Sequence, residues 1–191
     1  LPALLGSLRM HALNTNRKWA TEFNIEPSAA ITCVKPSGTV SQLVDAASGI
    51  HPRHSEYYIR TVRADKKDPL TLFMTDAGFP VEDENKKPES TAVFSFPIKA
   101  PKGAITRHDM TAIEHLEIWR IYAEYWCEHK PSITVSVKED EWLKVGAFVY
   151  ENFDDMSGVS FLPMSEHIYE QAPYQDCTKE EYEFLLKKMP D

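Results

Sequence analysis

Between Cys33 and Val44 the sequence reads CVKPSGTVSQLV, and no other stretch limits the fold so tightly. An apolar run, Ala29 to Val34, ends at Lys35 and Pro36. Ser37, Gly38, Thr39 and Ser41 then place three hydroxyls and a glycine in five positions, and apolar residues resume behind them. This order predicts a short buried strand over Ala29–Val34, a tight turn, and a helix over Thr39–Ala47 stopped by Ser48 and Gly49. Strand, hydroxyl-rich turn, helix is the local grammar of an α/β fold.

The remaining periodicities agree. Leu4 to Glu22 is helix-like, with Leu5, Leu8, Ala12 and Trp19 on one face. Tyr57–Val62 and Thr91–Ile98 read as strands, and Asp68–Ala77 as a helix with Gly78 suited to its C-cap. Thr106 with Asp109 predicts the cap of a helix running to Trp126. Pro131–Val137 alternates cleanly, Ile133, Val135 and Val137 on one side and Ser132, Thr134 and Ser136 on the other. A helix over Glu139–Asn152, a strand over Gly158–Leu162 and a helix capped by Thr178 and Glu181 follow. Helices and strands alternate throughout, so the fold class is α/β.

Composition narrows the function classes. The 191 residues carry a net charge of −8, and from Glu139 to Asp191 there are 13 Asp and Glu against four Lys and Arg. Such a surface repels nucleic acid phosphates. The exception is a basic island, Arg53, Arg60, Arg63, Lys66 and Lys67, directly after the quoted loop. No apolar run is long enough to span a bilayer. The three scattered cysteines, Cys33, Cys127 and Cys177, suit free thiols in a reducing compartment. The expectations are a cytoplasmic location, no nucleic acid partner and no membrane. The chain starts at Leu1-Pro2 without an initiator methionine and ends within a helical pattern, so it reads as part of a larger polypeptide.

The loop itself has two readings. Ser37 or Thr39 capping the helix is the simpler one, a device worth about 1 kcal/mol. A cap needs only one hydroxyl, however. Gly38 also admits close approach of a ligand, and unpaired amides from Gly38 to Ser41 would face whatever sits before the helix. A helix start carries roughly half a positive charge and suits phosphate. Lys35 is a further candidate contact, and a Walker A loop is absent. His51 and His54 flank Pro52 and Arg53 without a third ligand at a persuasive spacing, so they read as hydrogen-bonding groups and no metal site is expected. His108, His115, His129 and His167 suggest no role. Trp119, Tyr122 and Trp126 read as core. Lys138–Glu141 reads as a solvated first turn, Cys33 as a buried thiol, and no catalytic residue is identified.

The segment KPSGTVSQLVDAASGIHPRHSEYYIRTVR, Lys35–Arg63, resembles the phosphate loop and following strand of adenosylcobalamin-dependent (class II) ribonucleotide reductases, in particular the monomeric ribonucleoside-triphosphate reductase branch. Ile25–Thr32, STAVFSFP at Ser90–Pro97, SITVSVK at Ser132–Lys138 and SGVSFLPMSEHIYEQAPYQ at Ser157–Gln175 extend the resemblance in order along nearly the whole chain. It implies the C-terminal portion of a ten-stranded α/β barrel, incomplete as given. Residues 1–50 would supply a helix, a strand and the phosphate loop, and residues 51–191 barrel-wall strands and helices. It implies that Ser37, Gly38, Thr39, Val40 and Ser41 hold the phosphates of a ribonucleoside triphosphate.

In the family, cleavage of the cofactor's cobalt–carbon bond yields a thiyl radical that takes the ribose 3′-hydrogen. The 2′-hydroxyl leaves as water, and a cysteine pair supplies electrons. The radical cysteine with its asparagine and glutamate, the reducing pair and the tail pair are not found in this sequence. The fragment is therefore expected to bind no adenosylcobalamin and to be inactive alone, while its parent uses that cofactor and a thioredoxin-type reductant. Strand edges left by missing barrel strands predict self-association. A stand-alone phosphate- or nucleotide-binding module without catalysis is the alternative.

Overall fold

A computed structural model describes residues 1–164 and 170–190, so 165–169, with His167 and the middle of the Ser157–Gln175 stretch, lie outside the described residues. In chain order the elements are α1 (Pro2–Phe23), α2 (Val40–Leu43), β1 (Tyr57–Asp65), α3 (Pro69–Asp76), β2 (Val81–Asp83), β3 (Thr91–Lys99), α4 (Ala112–Tyr125), β4 (Ile133–Val137), α5 (Trp142–Glu151), β5 (Val159–Pro163), β6 (Tyr174–Asp176) and α6 (Lys179–Leu186). A 3₁₀ turn at Glu139–Glu141 precedes α5. The architecture is mixed α/β, in two compact units: Leu1–Pro52 with Arg107–Met164, and Arg53–Thr106 with the described part of Ser165–Asp191.

The first unit is built on a parallel pair, β4 and β5, joined by α5. Parallel strands need such a crossover because a tight turn cannot bring the chain back in the same direction. Ile133, Val135 and Val137 face α4 and α5 and form a core with Leu116, Trp119, Val145 and Phe148. Each large side chain buried there contributes roughly 1.5–3 kcal/mol. Alternation thus put the expected residues inside and Thr134 and Ser136 on the opposite face. α1 lies against α4, burying Leu5 and Ala20 while Leu8 and Trp19 stay exposed. Its expected apolar face is only partly covered.

Three expectations in this unit need correction. No strand forms over Ala29–Val34. The segment is extended, but its opposite stretch holds Pro131, which has no N–H to donate, so a regular ladder cannot form. It is fastened by irregular bonds: Thr32 O accepts from the Glu128 and His129 amides and Val34 O from Ser132. The Trp126 indole donates to Cys33 O, and Cys33 itself is half-buried. The α2 helix is four residues long, because Asp45 turns left-handed at φ 49°. The Ala46 amide then bonds Ser41 O and the Asp45 amide bonds Gln42 O, a Schellman stop with aspartate in the usual glycine place. The α4 cap is Thr111 with Glu114, not Thr106 with Asp109. Thr106 is held in a bridge to Arg53, which keeps its backbone out of a helix.

The second unit is a four-stranded antiparallel sheet in the order β2-β3-β1-β6. Its spine is the nine-residue register from Tyr57 opposite Lys99 to Asp65 opposite Thr91. α3 sits between these strands in sequence, capped by the Asp68 carboxylate on the Leu70 amide at 2.8 Å. Gly78, at φ 85°, follows it where a left-handed residue is required. Neither sheet is closed among the described residues. Among them no helix is long and apolar enough to cross a membrane.

Candidate functional site

Ser37 is the hub of the loop. Its amide donates to Ser48 Oγ at 2.7 Å, and that hydroxyl donates back to Ser37 O at 2.9 Å. Ser37 Oγ accepts from the Ser41 amide and Ser37 O accepts from Ser41 Oγ, both at 3.0 Å. Gly49, at φ 60°, brings the far limb in: a Cβ there would lie 3.0 Å from Lys35 O, so the close approach needs glycine. The loop is thereby pinched between residues 35–37 and 48–49.

Both readings of the hydroxyls hold in part. Ser37 caps, through the Ser41 amide, whereas Thr39 at the N-cap position makes no side-chain cap bond. The expectation of free amides from Gly38 to Ser41 is corrected at Ser41, whose amide is taken and whose side chain is buried. Gly38, Thr39 and Val40 are exposed, and their amides make no hydrogen bond among the described residues. These three consecutive donors are what the loop offers an anion. A Cβ added at Gly38 meets nothing within 4 Å, so the space beside it is open. Lys35 is committed elsewhere, to Lys130 O at 2.8 Å and Ser132 Oγ at 2.6 Å.

His51, read from the sequence as a hydrogen-bonding group, supports this loop, and His115, for which the sequence suggested no role, joins it. His51 Nδ1 lies 2.7 Å from Ser48 O, and the Thr134 amide donates to His51 Nε2 at 2.9 Å. His115 packs edge-on against His51, with ring centroids 5.4 Å apart, and its Nε2 is 3.1 Å from Ile50 O. Burial, reinforced by the neighbouring His51, pushes the His115 pKa down to about 4, so the ring is neutral near pH 7. The four acidic-run residues are not all solvated. Glu141 is buried and accepts from the Ala112 amide at 3.0 Å and the Lys138 amide at 2.9 Å. Glu128 accepts from the Ile31 and Thr32 amides, and these bonds hold its carboxyl below the usual range. Of these, the sequence pointed only to His51 as a hydrogen-bonding group; it gave no role to His115 or Glu128 and read Glu141 as solvated.

In the second unit four of the five basic-island side chains, Arg53, Arg60, Arg63 and Lys66, lie against the chain itself, and Lys67 is exposed. Arg60 donates to Pro173 O at 2.9 Å and lies over the Tyr174 ring. Arg63 donates to Gln171 O at 3.0 Å, Lys66 pairs with Asp83, and Arg53 is buried beside Tyr58. Gln171, left-handed at φ 57°, is the hub here. Its amide group donates to Glu82 Oε1 and Asp83 O and accepts from the Asn85 amide. His54 pairs with Asp176 at 3.1 Å. Burial raises the thiol pKa of Cys127 and Cys177, which disfavours a thiolate at either. Among the described residues no three His, Cys, Asp or Glu side chains gather as a metal site would need.

No protein-family model matches the chain. It is 33% identical over 169 residues to an adenosylcobalamin-dependent ribonucleoside-triphosphate reductase of Euglena gracilis, covering 87% of this chain and 23% of that protein. A reductase of the same name from Lactobacillus gasseri is 27% identical over 175 residues, covering 90% of this chain and 23% of the relative. The crystal structure of a B12-dependent (class II) ribonucleotide reductase superposes with a TM-score of 0.82 at 24% identity, over 99% of this chain and 27% of that one. The likeness seen at Lys35–Arg63 thus extends along most of the sequence. The chain spans about a quarter of the length of the curated relatives it matches.

Proposed function

We propose, for a chain similar along most of its length to one quarter of the adenosylcobalamin-dependent ribonucleoside-triphosphate reductases, that it is the substrate-phosphate-holding part of such an enzyme. The parent converts ribonucleoside triphosphates to 2′-deoxyribonucleotides, with adenosylcobalamin supplying the radical and a thioredoxin-type protein the electrons. Residues 1–191 are one C-terminal catalytic-barrel fragment, with the phosphate loop in residues 1–50 and wall elements in 51–191. The β4–α5–β5 unit, a parallel pair with open edges, is what a slice of a larger barrel would contain. Alone, the chain reduces nothing, and its open edges favour self-association.

One observation carries this reading: the exposed, unbonded amides of Gly38, Thr39 and Val40, on a loop whose frame is tied by Ser37 and Ser48. Backbone N–H groups in a row, with no acceptor bonded to them among the described residues, suit the oxygens of a phosphate chain. Ser37 and Ser41 shape the cradle, and the Thr39 hydroxyl completes its rim. Fixing a nucleotide at its 5′ end presents one face of the ribose to the reacting group, which is how positioning lowers a barrier.

Gly38→Val tests it. Because a Cβ at Gly38 meets no protein atom, the substituted chain folds, and its branches project into the ligand space. Calorimetric titration with a ribonucleoside triphosphate is expected to show affinity falling by about tenfold or more, the equivalent of about 1.4 kcal/mol. Equal affinity in the two proteins would remove the cradle.

A further inference from the structure

We infer that His51 is a positioning residue for the phosphate loop: its imidazole ties the Ser48 limb to the edge of β4 and so fixes the frame on which the Gly38–Val40 amides stand. This rests on the reading of that loop as a phosphate site.

The argument starts from donors and acceptors. The Thr134 backbone N–H can only donate, so His51 Nε2, 2.9 Å away, must be the bare nitrogen. The ring proton is then on Nδ1, where it donates to Ser48 O at 2.7 Å. A neutral imidazole offers one donor and one acceptor at a rigid separation, as among the other side chains a carboxamide also does. Lysine only donates, and a carboxylate only accepts. Ser48 passes the constraint on, because the same residue clamps the amide and carbonyl of Ser37, and Ser37 Oγ holds the Ser41 amide. The path from β4 to the loop is therefore Thr134, His51, Ser48, Ser37, Ser41. Each link is a hydrogen bond of 2.7–3.0 Å. His115, neutral and edge-on to His51, closes the far side through Ile50 O.

The loop contains its own hydrogen-bonded turn, α2, and does not need His51 to form it. What His51 adds is a fixed attachment to the unit's core strand, whose Val135 and Val137 are fully buried. Without it the Ser48 limb keeps the His51 amide on Ser48 O, the His115–Ile50 bond, the Gly49 contact and its bonds to Ser37, but loses its side-chain tie to β4.

The test uses two readouts on the 191-residue chain. Amide hydrogen exchange in His51→Ala is expected to speed up at Ser37 and Ser41 by about tenfold, as loss of one or two hydrogen bonds implies. The Thr61 amide, which bonds Pro173 O in the other unit, keeps its wild-type rate and reports that the chain is folded. Titration with inorganic tripolyphosphate, read on the Gly38, Thr39 and Val40 amide resonances, is expected to be weaker by about tenfold. His51→Gln, which keeps a donor and an acceptor, recovers most of both. Ser48→Ala, cutting the other end of the path, matches His51→Ala.

Wild-type exchange rates in His51→Ala overturn the inference, as does wild-type tripolyphosphate affinity in that variant. Weakened binding in Ser48→Ala alone assigns the positioning to Ser48 and overturns it too. A wild-type chain whose three amides ignore tripolyphosphate removes the phosphate reading itself, and the exchange rates then judge the brace separately.

Discussion

The N-termini of α4 and α2 pose the same problem and solve it in opposite ways. Both begin after a threonine in a hydroxyl-bearing turn. At α4, Thr111 and Glu114 bond each other's amides, Glu141 takes the Ala112 amide, and His115 N bonds Thr111 O. At α2 the Thr39 carbonyl likewise accepts from the Gln42 and Leu43 amides, but its side chain makes no cap bond, and among the described residues Gly38, Thr39 and Val40 keep unbonded amides. A helix start that stabilises the fold spends its donors on its own chain. One that serves a ligand withholds them. Two carboxylates at the α4 start add charge where the helix dipole favours it, whereas among the described residues no side-chain carboxylate bonds the α2 start.

The contrast breaks most visibly at Glu141. Glu141→Ala leaves the buried Ala112 amide and the part-buried Lys138 amide unpaired and is expected to lower stability by about 2–4 kcal/mol, measured by urea denaturation. A loss below about 1 kcal/mol would mean water replaces the carboxylate.

Acid comes next. The His115 pKa is lowered to about 4 from 6.5, so between those values the unfolded chain binds a proton that the folded chain refuses. The corresponding stability is complete above pH 6.5 and is lost as pH falls toward 4, by about 2–3 kcal/mol in all. Denaturation midpoints at pH 7 and pH 4.5, with His115→Gln flattening the slope, check this.

The smallest effects sharpen the comparison directly. Thr111→Ala is expected to cost about 1 kcal/mol. Thr39→Ala, at the equivalent position of α2, is expected to cost less than about 0.5 kcal/mol, because no cap bond is lost. Thermal midpoints of the pair decide it, and equal losses would erase the distinction between the two helix starts.

Much of the fold was legible from local pattern. α1, β1, α3, β3, β4 and β5 follow their periodicities, and the Thr178–Glu181 capping box opens α6 as expected. What escaped was set by contacts distant in sequence. β2 and β6 are three residues each, and such strands exist only because β3 and β1 offer edges to pair with. Ala29–Val34 has a strand's composition, but the proline opposite denies it a ladder. At the site, the hydroxyls and glycine were visible, yet which hydroxyl caps and which faces outward depended on Ser48, eleven residues away, and on His51 beyond it. The buried place of Glu141 was hidden because its partner amide belongs to α4, 29 residues upstream.

The 170–176 segment joins its sheet by the β6 ladder on β1 and by side chains reaching across from β1 and the β2–β3 turn. Arg60, Thr61 and Arg63 grip the carbonyls of Pro173, Ala172 and Gln171, and Asn85 holds Gln171 and Glu170. Peeling this strip away would take partners from three β1 side chains simultaneously and leave Arg63 with Glu84 alone. Detachment is consequently cooperative: a protease nicking within it should meet either full resistance or complete release, with no half-frayed state in between.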